Sequence, residues 1–142
     1  MRLIEFAHAV YRTQYHIVWV TRYRRKILNK GVAEYLKTKL QEARKYCPDW
    51  EYIAIGIAED HVHVHMVIPP KYAVSMVVET LKKNPSRELN LKFRFLKKFY
   101  WDNEGMWSTG FFVSTVSINE GVIKKYVEMQ GKEDTGQTQF GF

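Results

Sequence analysis

The segment that most constrains this chain is His61-Val62-His63-Val64-His65-Met66-Val67-Ile68, which stops at Pro69-Pro70. Polar and apolar residues alternate strictly for its first six positions. A strand sends successive side chains to opposite faces, so the three histidines share one face. Val62, Val64, Met66 and Ile68 share the other, the side expected to enter a core. Two imidazoles at i and i+2 lie close enough to bind one metal ion, although a solvent-facing polar strand gives the same pattern. No nearby Cys or His set completes the four ligands of a structural zinc site.

The remaining pattern places this strand within a single domain covering all 142 residues. Residues 15–21 are β-branched and aromatic and predict a strand. A helix is expected from Gly31 to about Tyr46, with Val32, Tyr35, Leu36 and Leu40 at helical spacing and Pro48 ending it. Residues 51–57 predict a strand, joined to the histidine strand by a short turn at Glu59-Asp60. A second helix over 74–83 buries Val74, Val77, Val78 and Leu81. Asn84-Pro85 is expected to break or kink it before it resumes through Leu89. A fourth strand fits 111–116. A last helix is expected to begin near Ser117, because Ser117 and Glu120 have capping-box spacing. Residues 131–142 read as a loose tail. The order strand-helix-strand-strand-helix-strand predicts an α+β, ferredoxin-like split βαβ sandwich. Its helices would cover one sheet face and leave the other free, with an additional C-terminal helix.

That C-terminal helix carries Tyr126 and, one turn on, Gln130. A tyrosine there is ordinarily a core or rim residue. An amide oxygen beside a phenol could equally share a metal site with two histidines.

Charge points to an anionic partner. Lys and Arg number 22 against 15 Asp and Glu, a net charge of +7, and nucleic acid is the commonest partner of such a surface. Between residues 81 and 98 there are seven basic residues and one acid, interleaved with Phe93 and Phe95. Basic and aromatic residues together suit unpaired bases, although long charge runs are most often solvated faces. Arg22 to Lys26 form a second basic run. The lone Cys47 excludes an intrachain disulfide and suits a reducing compartment. With no secretory signal and no long apolar run, the expectation is a soluble, cytoplasmic protein without membrane association.

Four segments resemble the single-tyrosine HUH transposases of insertion sequences, the TnpA-type, IS200-like enzymes. These are Tyr15 to Thr21 running into Tyr23-Arg24-Arg25; Asp60-His61-Val62-His63 with Ile68 to Tyr72; Trp107 to Gly110 with Phe112 to Val116; and Ile123 to Glu128 with Gln130. The resemblance covers roughly residues 8–131. It departs at Glu59-Asp60, where the family often has Pro-Asp, at Phe111-Phe112, where it usually has Tyr-Phe, and at Asn84-Pro85, where its helix is smoother.

The resemblance implies that His61, His63 and Gln130 hold Mg²⁺, with Mn²⁺ as substitute, and that Tyr126 is the nucleophile. His63 and His65 also satisfy the bare motif, but Asp60 favours the first pair and leaves His65 a strand neighbour. The implied activity is cleavage and rejoining of single-stranded DNA at element ends through a 5′-phosphotyrosine, without a nucleotide cofactor. Hairpin DNA and a homodimer with shared active sites are the implied partners. Arg24, Arg25, Lys82, Lys83 and Arg87 are candidate DNA contacts. Two other readings are an RNA- or DNA-binding module or metal-independent RNA nuclease of the same fold, and a domesticated relative that processes chromosomal repeats.

Overall fold

The computed structural model describes residues 4–6, 9–100 and 105–136. Its centre is an antiparallel sheet of four strands: β3 (Gln14–Val20), β4 (Glu51–Ile57), β5 (His61–Val67) and β6 (Phe112–Ser114), in the order β4-β5-β3-β6. With α1 (Lys30–Glu42) between β3 and β4, and α2 (Val74–Lys92) between β5 and β6, this is the expected ferredoxin-like arrangement. A separate hairpin, β1 (Ile4–Phe6) with β2 (Ala9–Tyr11), precedes it and is not foreshadowed by the sequence pattern.

The histidine strand behaves as its alternation demands. Val62, Val64 and Met66 are fully buried, and the histidines between them are half-buried. The apolar side meets Ile17 and Trp19 of β3 and the helical stripes Val32/Leu36/Leu40 and Val77/Val78/Leu81/Leu89 in one core. Asn29 starts α1, its Oδ1 accepting the Val32 N–H at 3.0 Å. The helix tightens into a 3-10 turn at Ala43–Lys45, close to its expected end.

The other sheet face is not free. Helix α3 (Glu120–Asp134) lays Ile123, Tyr126 and Val127 on Val18 and Val20. This explains why Ile17, Val18, Trp19 and Val20 form an unbroken apolar run, all at most 1% exposed. A central strand covered on both faces has no side to leave polar.

Four boundaries differ from expectation. Helix α2 runs 19 residues without a break at Pro85. The proline removes one hydrogen bond and costs about 3 kcal/mol in a helix interior. Pro85 and Leu89 extend the buried stripe, and burial of a leucine alone returns about 1.5–3 kcal/mol. Strand β6 is only three residues long. Helix α3 starts at Glu120, because Asn119 Oδ1 accepts the Val122 N–H at 2.9 Å, while Ser117 is exposed and outside the helix. Asparagine is at least as good a cap as serine. At its far end α3 continues to Asp134 instead of ending in a loose tail at 131, since the Asp134 side chain bonds to other segments of the fold. The rest of the expected tail, 137–142, lies outside the described residues. No helix among the described residues is long and apolar enough to cross a membrane.

The cap assignment predicts that Asn119→Ala lowers the denaturant-unfolding free energy by about 1 kcal/mol, and Ser117→Ala by less than about 0.5 kcal/mol. A larger loss at Ser117 would place the helix start two residues earlier.

Candidate active site

Register sets the site. In the β3–β5 ladder His16 pairs with His65, Val18 with His63 and Val20 with His61. Directly opposed residues share a face, so four histidines and two valines form one surface. His16 stacks on His65 with ring centroids 3.9 Å apart, and its Nδ1 lies 3.4 Å from His63 Nε2. The outer nitrogen of His65 is occupied, its Nε2 lying 3.1 Å from Gln14 Oε1.

His61 is held differently. Its Nδ1–H donates to Asp60 Oδ1 at 2.9 Å, which leaves Nε2 as the ring's lone-pair nitrogen. A carboxylate behind an imidazole is the common way a ligating histidine is oriented. That hydrogen bond holds the Asp60 carboxyl below its ordinary pKa, with the His61 and Arg24 charges assisting. Burial, then the charge of His16, lowers the His63 pKa, so a neutral ring with a lone pair is the form present near pH 7. His65 is shifted the same way by the same two causes. The two possible histidine pairs thus differ: His61 is backed by a carboxylate, and His65 is stacked and bonded within the sheet.

Helix α3 carries the other two residues and packs Tyr126 against Val18 and Val20 of this surface. Tyr126 is 5% exposed, and its ring tilts against Phe112 at 5.7 Å. Phe112 pairs with Val18 and Val18 with His63, so the ring of Tyr126 packs on the sheet face that carries the histidines. Burial first, then the negative charge of Asp134, pushes the Tyr126 pKa above the ordinary tyrosine range. Gln130 is 3% exposed. Its Nε2–H donates to Asp134 Oδ1 at 3.3 Å, and not to either imidazole.

The chemistry of this donor set fits a divalent cation of modest coordination by protein. Two imidazole nitrogens and one amide oxygen would leave positions open to water or substrate oxygens. Among the described residues no group of three His, Cys, Asp or Glu side chains could hold a metal ion, so Gln130 would have to be the third protein ligand.

The basic residues divide. Arg24 Nε lies 3.6 Å from Asp60 Oδ2, and its aliphatic stem lies so close to Gly131 that a Cβ there would meet Cδ at 2.4 Å. The Arg25 guanidinium stands over the rings of Tyr23 (5.1 Å) and Tyr100 (4.9 Å). Lys82 Nζ donates to the Ser108 and Gly110 carbonyls at 2.8 and 3.0 Å. All three make contacts within the fold; Arg25 and Lys82 are partly buried, while Arg24, and Lys83 and Arg87 on α2, are exposed. Sequence reasoning missed His16 and Asp134. An alternating Gln14-His16-Val18-Val20 face was available as a signal for the first; nothing local marks the second.

Burial, and next the charge of Arg22, lower the Lys82 pKa to about 8. Between there and the free-lysine value of about 10.4, the unfolded chain holds a proton that the folded chain has released. Stability should therefore rise with pH from about 8 to about 10. Above about 10 it should fall, because buried Tyr126 and Tyr52 keep protons that their unfolded forms lose. Denaturant melts across pH 7–11 test this, with Lys82→Met expected to abolish the rise.

Residues 9–130 match the family model for IS200-like transposases. The chain is 35% identical over 131 residues to the transposase of insertion sequence element IS200 from Salmonella typhimurium, covering 90% of this chain and 83% of the relative. It is 31% identical over 122 residues to the ISDra2 transposase TnpA of Deinococcus radiodurans, covering 85% and 86%. Among solved structures, a candidate transposase from Deinococcus radiodurans R1 superposes with TM-score 0.78 at 27% identity, covering 89% of this chain and 97% of that one. A REP-associated tyrosine transposase bound to a REP hairpin shares the fold, with TM-score 0.56 at 14% identity, covering 95% and 76%. With the family model spanning most of its length, the chain belongs to the IS200-like transposase family.

Proposed function

We propose that this transposase cleaves and rejoins single-stranded DNA through a covalent 5′-phosphotyrosine on Tyr126. The observation that carries the reading is the seating of the tyrosine helix on the histidine face: Tyr126 packs with Val18, which pairs with His63. His61, His63 and Gln130 are the residues that would hold Mg²⁺ or Mn²⁺. Such a cation, when bound, supplies polarisation of a non-bridging oxygen of the scissile phosphate.

The residues of the chain do the rest. Asp60 keeps the His61 ring turned, and the lowered pKa of His63 keeps its lone pair available. Tyr126 Oη attacks phosphorus, the bond to the 3′ oxygen breaks, and that oxygen leaves as a hydroxyl after taking up a proton. The phenol loses one proton in exchange, so the step balances without a nucleotide cofactor. The phosphotyrosine conserves the bond, and a second 3′-OH reverses the step to join new ends. An ordinary phenol costs about 4 kcal/mol to ionise at pH 7, and burial raises that cost for Tyr126, so the cation and the basic surroundings must offset part of it. Tyr126 lies beneath Phe112 in this arrangement, so Phe112 or α3 must shift for a phosphate to reach it.

The partners follow the same reading. The exposed Arg24, Lys83 and Arg87 join the remaining surface charge as candidate phosphate contacts, as do the partly buried Arg25 and Lys82. A related fold bound to a REP hairpin favours hairpin DNA as the ligand. The resemblance adds a homodimer, and the tyrosine helix here lies on the histidine face of its own chain, so whether subunits exchange tyrosines is what the mixing experiment below reads.

The test uses single-stranded oligonucleotides from the DNA flanking the gene, with Mg²⁺ or Mn²⁺, read as a covalent protein–DNA band on a denaturing gel. The parent should form the band only with metal, faster as pH rises from 7 to 9, and with yield falling steeply with salt. Tyr126→Phe should form none. His61→Ala and His63→Ala should reduce it at least 100-fold, and a mixture of Tyr126→Phe with His63→Ala subunits should recover it if sites are shared. RNA cleavage that needs no metal and survives Tyr126→Phe would instead favour a nuclease using the histidines as acid and base.

A further inference from the structure

Asp134 sits in the last turn of α3, where a negative charge opposes the helix dipole. Three donors from three segments converge on it. Gln130 Nε2–H reaches Oδ1 at 3.3 Å, the Tyr23 backbone N–H reaches Oδ2 at 2.9 Å, and the Ser108 hydroxyl donates to Oδ2 as well. A primary amide has its oxygen and nitrogen on opposite prongs. With the nitrogen prong committed to Asp134, the oxygen prong is turned the other way. Without that anchor the amide is free to flip and present –NH₂, which cannot bind a cation.

The same logic operates at His61, whose ring is turned by Asp60. The two carboxylates are moreover joined through consecutive residues. Tyr23 gives its N–H to Asp134, and Arg24 pairs with Asp60. Both residues have positive φ, 61° and 55°, a strained conformation for a non-glycine residue that persists only where surrounding contacts impose it. The turn also lays the Arg24 stem against Gly131, the neighbour of Gln130.

We propose that Asp134 is a positioning residue, fixing the Gln130 amide with Oε1 as its available atom and, through the Tyr23–Arg24 turn, holding α3 in register with His61. This rests on the reading of Gln130 as a metal-contacting residue. Asp134 touches neither substrate nor metal and acts through Gln130.

The experiment measures Mn²⁺ binding alone, by loss of the free-ion electron paramagnetic resonance signal, and separately the Mn²⁺ concentration for half-maximal covalent-band formation. Asp134→Ala should weaken Mn²⁺ binding about 10–100-fold, the usual effect of losing a residue that orients a ligand. The half-maximal concentration should rise in proportion. Gln130→Ala should weaken binding similarly, and the double variant no further, because the two residues act as one unit. Parental Mn²⁺ affinity in Asp134→Ala, or a full additional loss in the double variant, overturns the positioning role. Parental affinity in Gln130→Ala overturns the role of Gln130 and this inference together, and absence of a covalent band in the parent counts against the proposed reaction, while the Mn²⁺ titration still decides the positioning role. Where Asp134→Ala does not fold, Asp134→Asn replaces it. Its –NH₂ would face the Gln130 prong and turn Gln130 Oε1 toward residue 134, so weakened Mn²⁺ binding is again expected and unchanged binding overturns the proposal.

Discussion

The rest of the molecule depends on the antiparallel pairing of β3 with β5. It puts Ile17, Trp19, Val62, Val64 and Met66 into one dry layer, and the same pleat necessarily turns His16, His61, His63 and His65 the other way. Because the period of a strand is two, a slip of one residue would send the histidines into the core and the valines to the reactive face. Burying four imidazoles without partners is costly, so the hydrophobic core itself enforces the register of the candidate site. The short strand β6 extends this platform and contributes Phe112, against which Tyr126 rests.

Two carboxylates tie that platform to the tyrosine helix. Asp60 stands behind His61 and Asp134 behind Gln130, and the Tyr23–Arg24 turn touches both. Arg24 is thereby paired within the chain, while its side chain stays 42% exposed to solvent. Arg25 and Lys82 are likewise engaged with rings and carbonyls. Positive charge in this protein therefore has two uses, bracing loops around the site and presenting an exposed surface on α2, and a count of charges cannot separate them.

Much of the fold was legible because its elements obey local rules. The alternation of β5, the stripes of α1 and α2, and the turn at Glu59-Asp60 are short-range patterns, and each lies where expected. Errors arose where a distant contact outweighed a local rule. Pro85 ought to end a helix, but the burial of Leu89 against the sheet keeps it continuous. Ser117 has the spacing of a cap, but Asn119 holds the position. Residues after Gln130 look like a tail, but Asp134 is captured by Tyr23 and Ser108. Ile17 to Val20 did carry a warning that both sheet faces are covered, since an unbroken apolar run is incompatible with a free side.

The sequence by itself determined the elements, the order that yields the split βαβ sandwich, the common face of His61, His63 and His65, and the one-turn spacing of Tyr126 and Gln130. Each follows from periodicities of 2 and 3.6 residues that any chain must obey. The tertiary structure alone decided that His16 joins the histidine face, that α3 lies on it, that Asp134 anchors Gln130, and which basic side chains remain exposed. These depend on strand register and helix docking between residues up to 111 positions apart. Such contacts arise from the burial of whole faces and leave no short-range mark on the residues that make them.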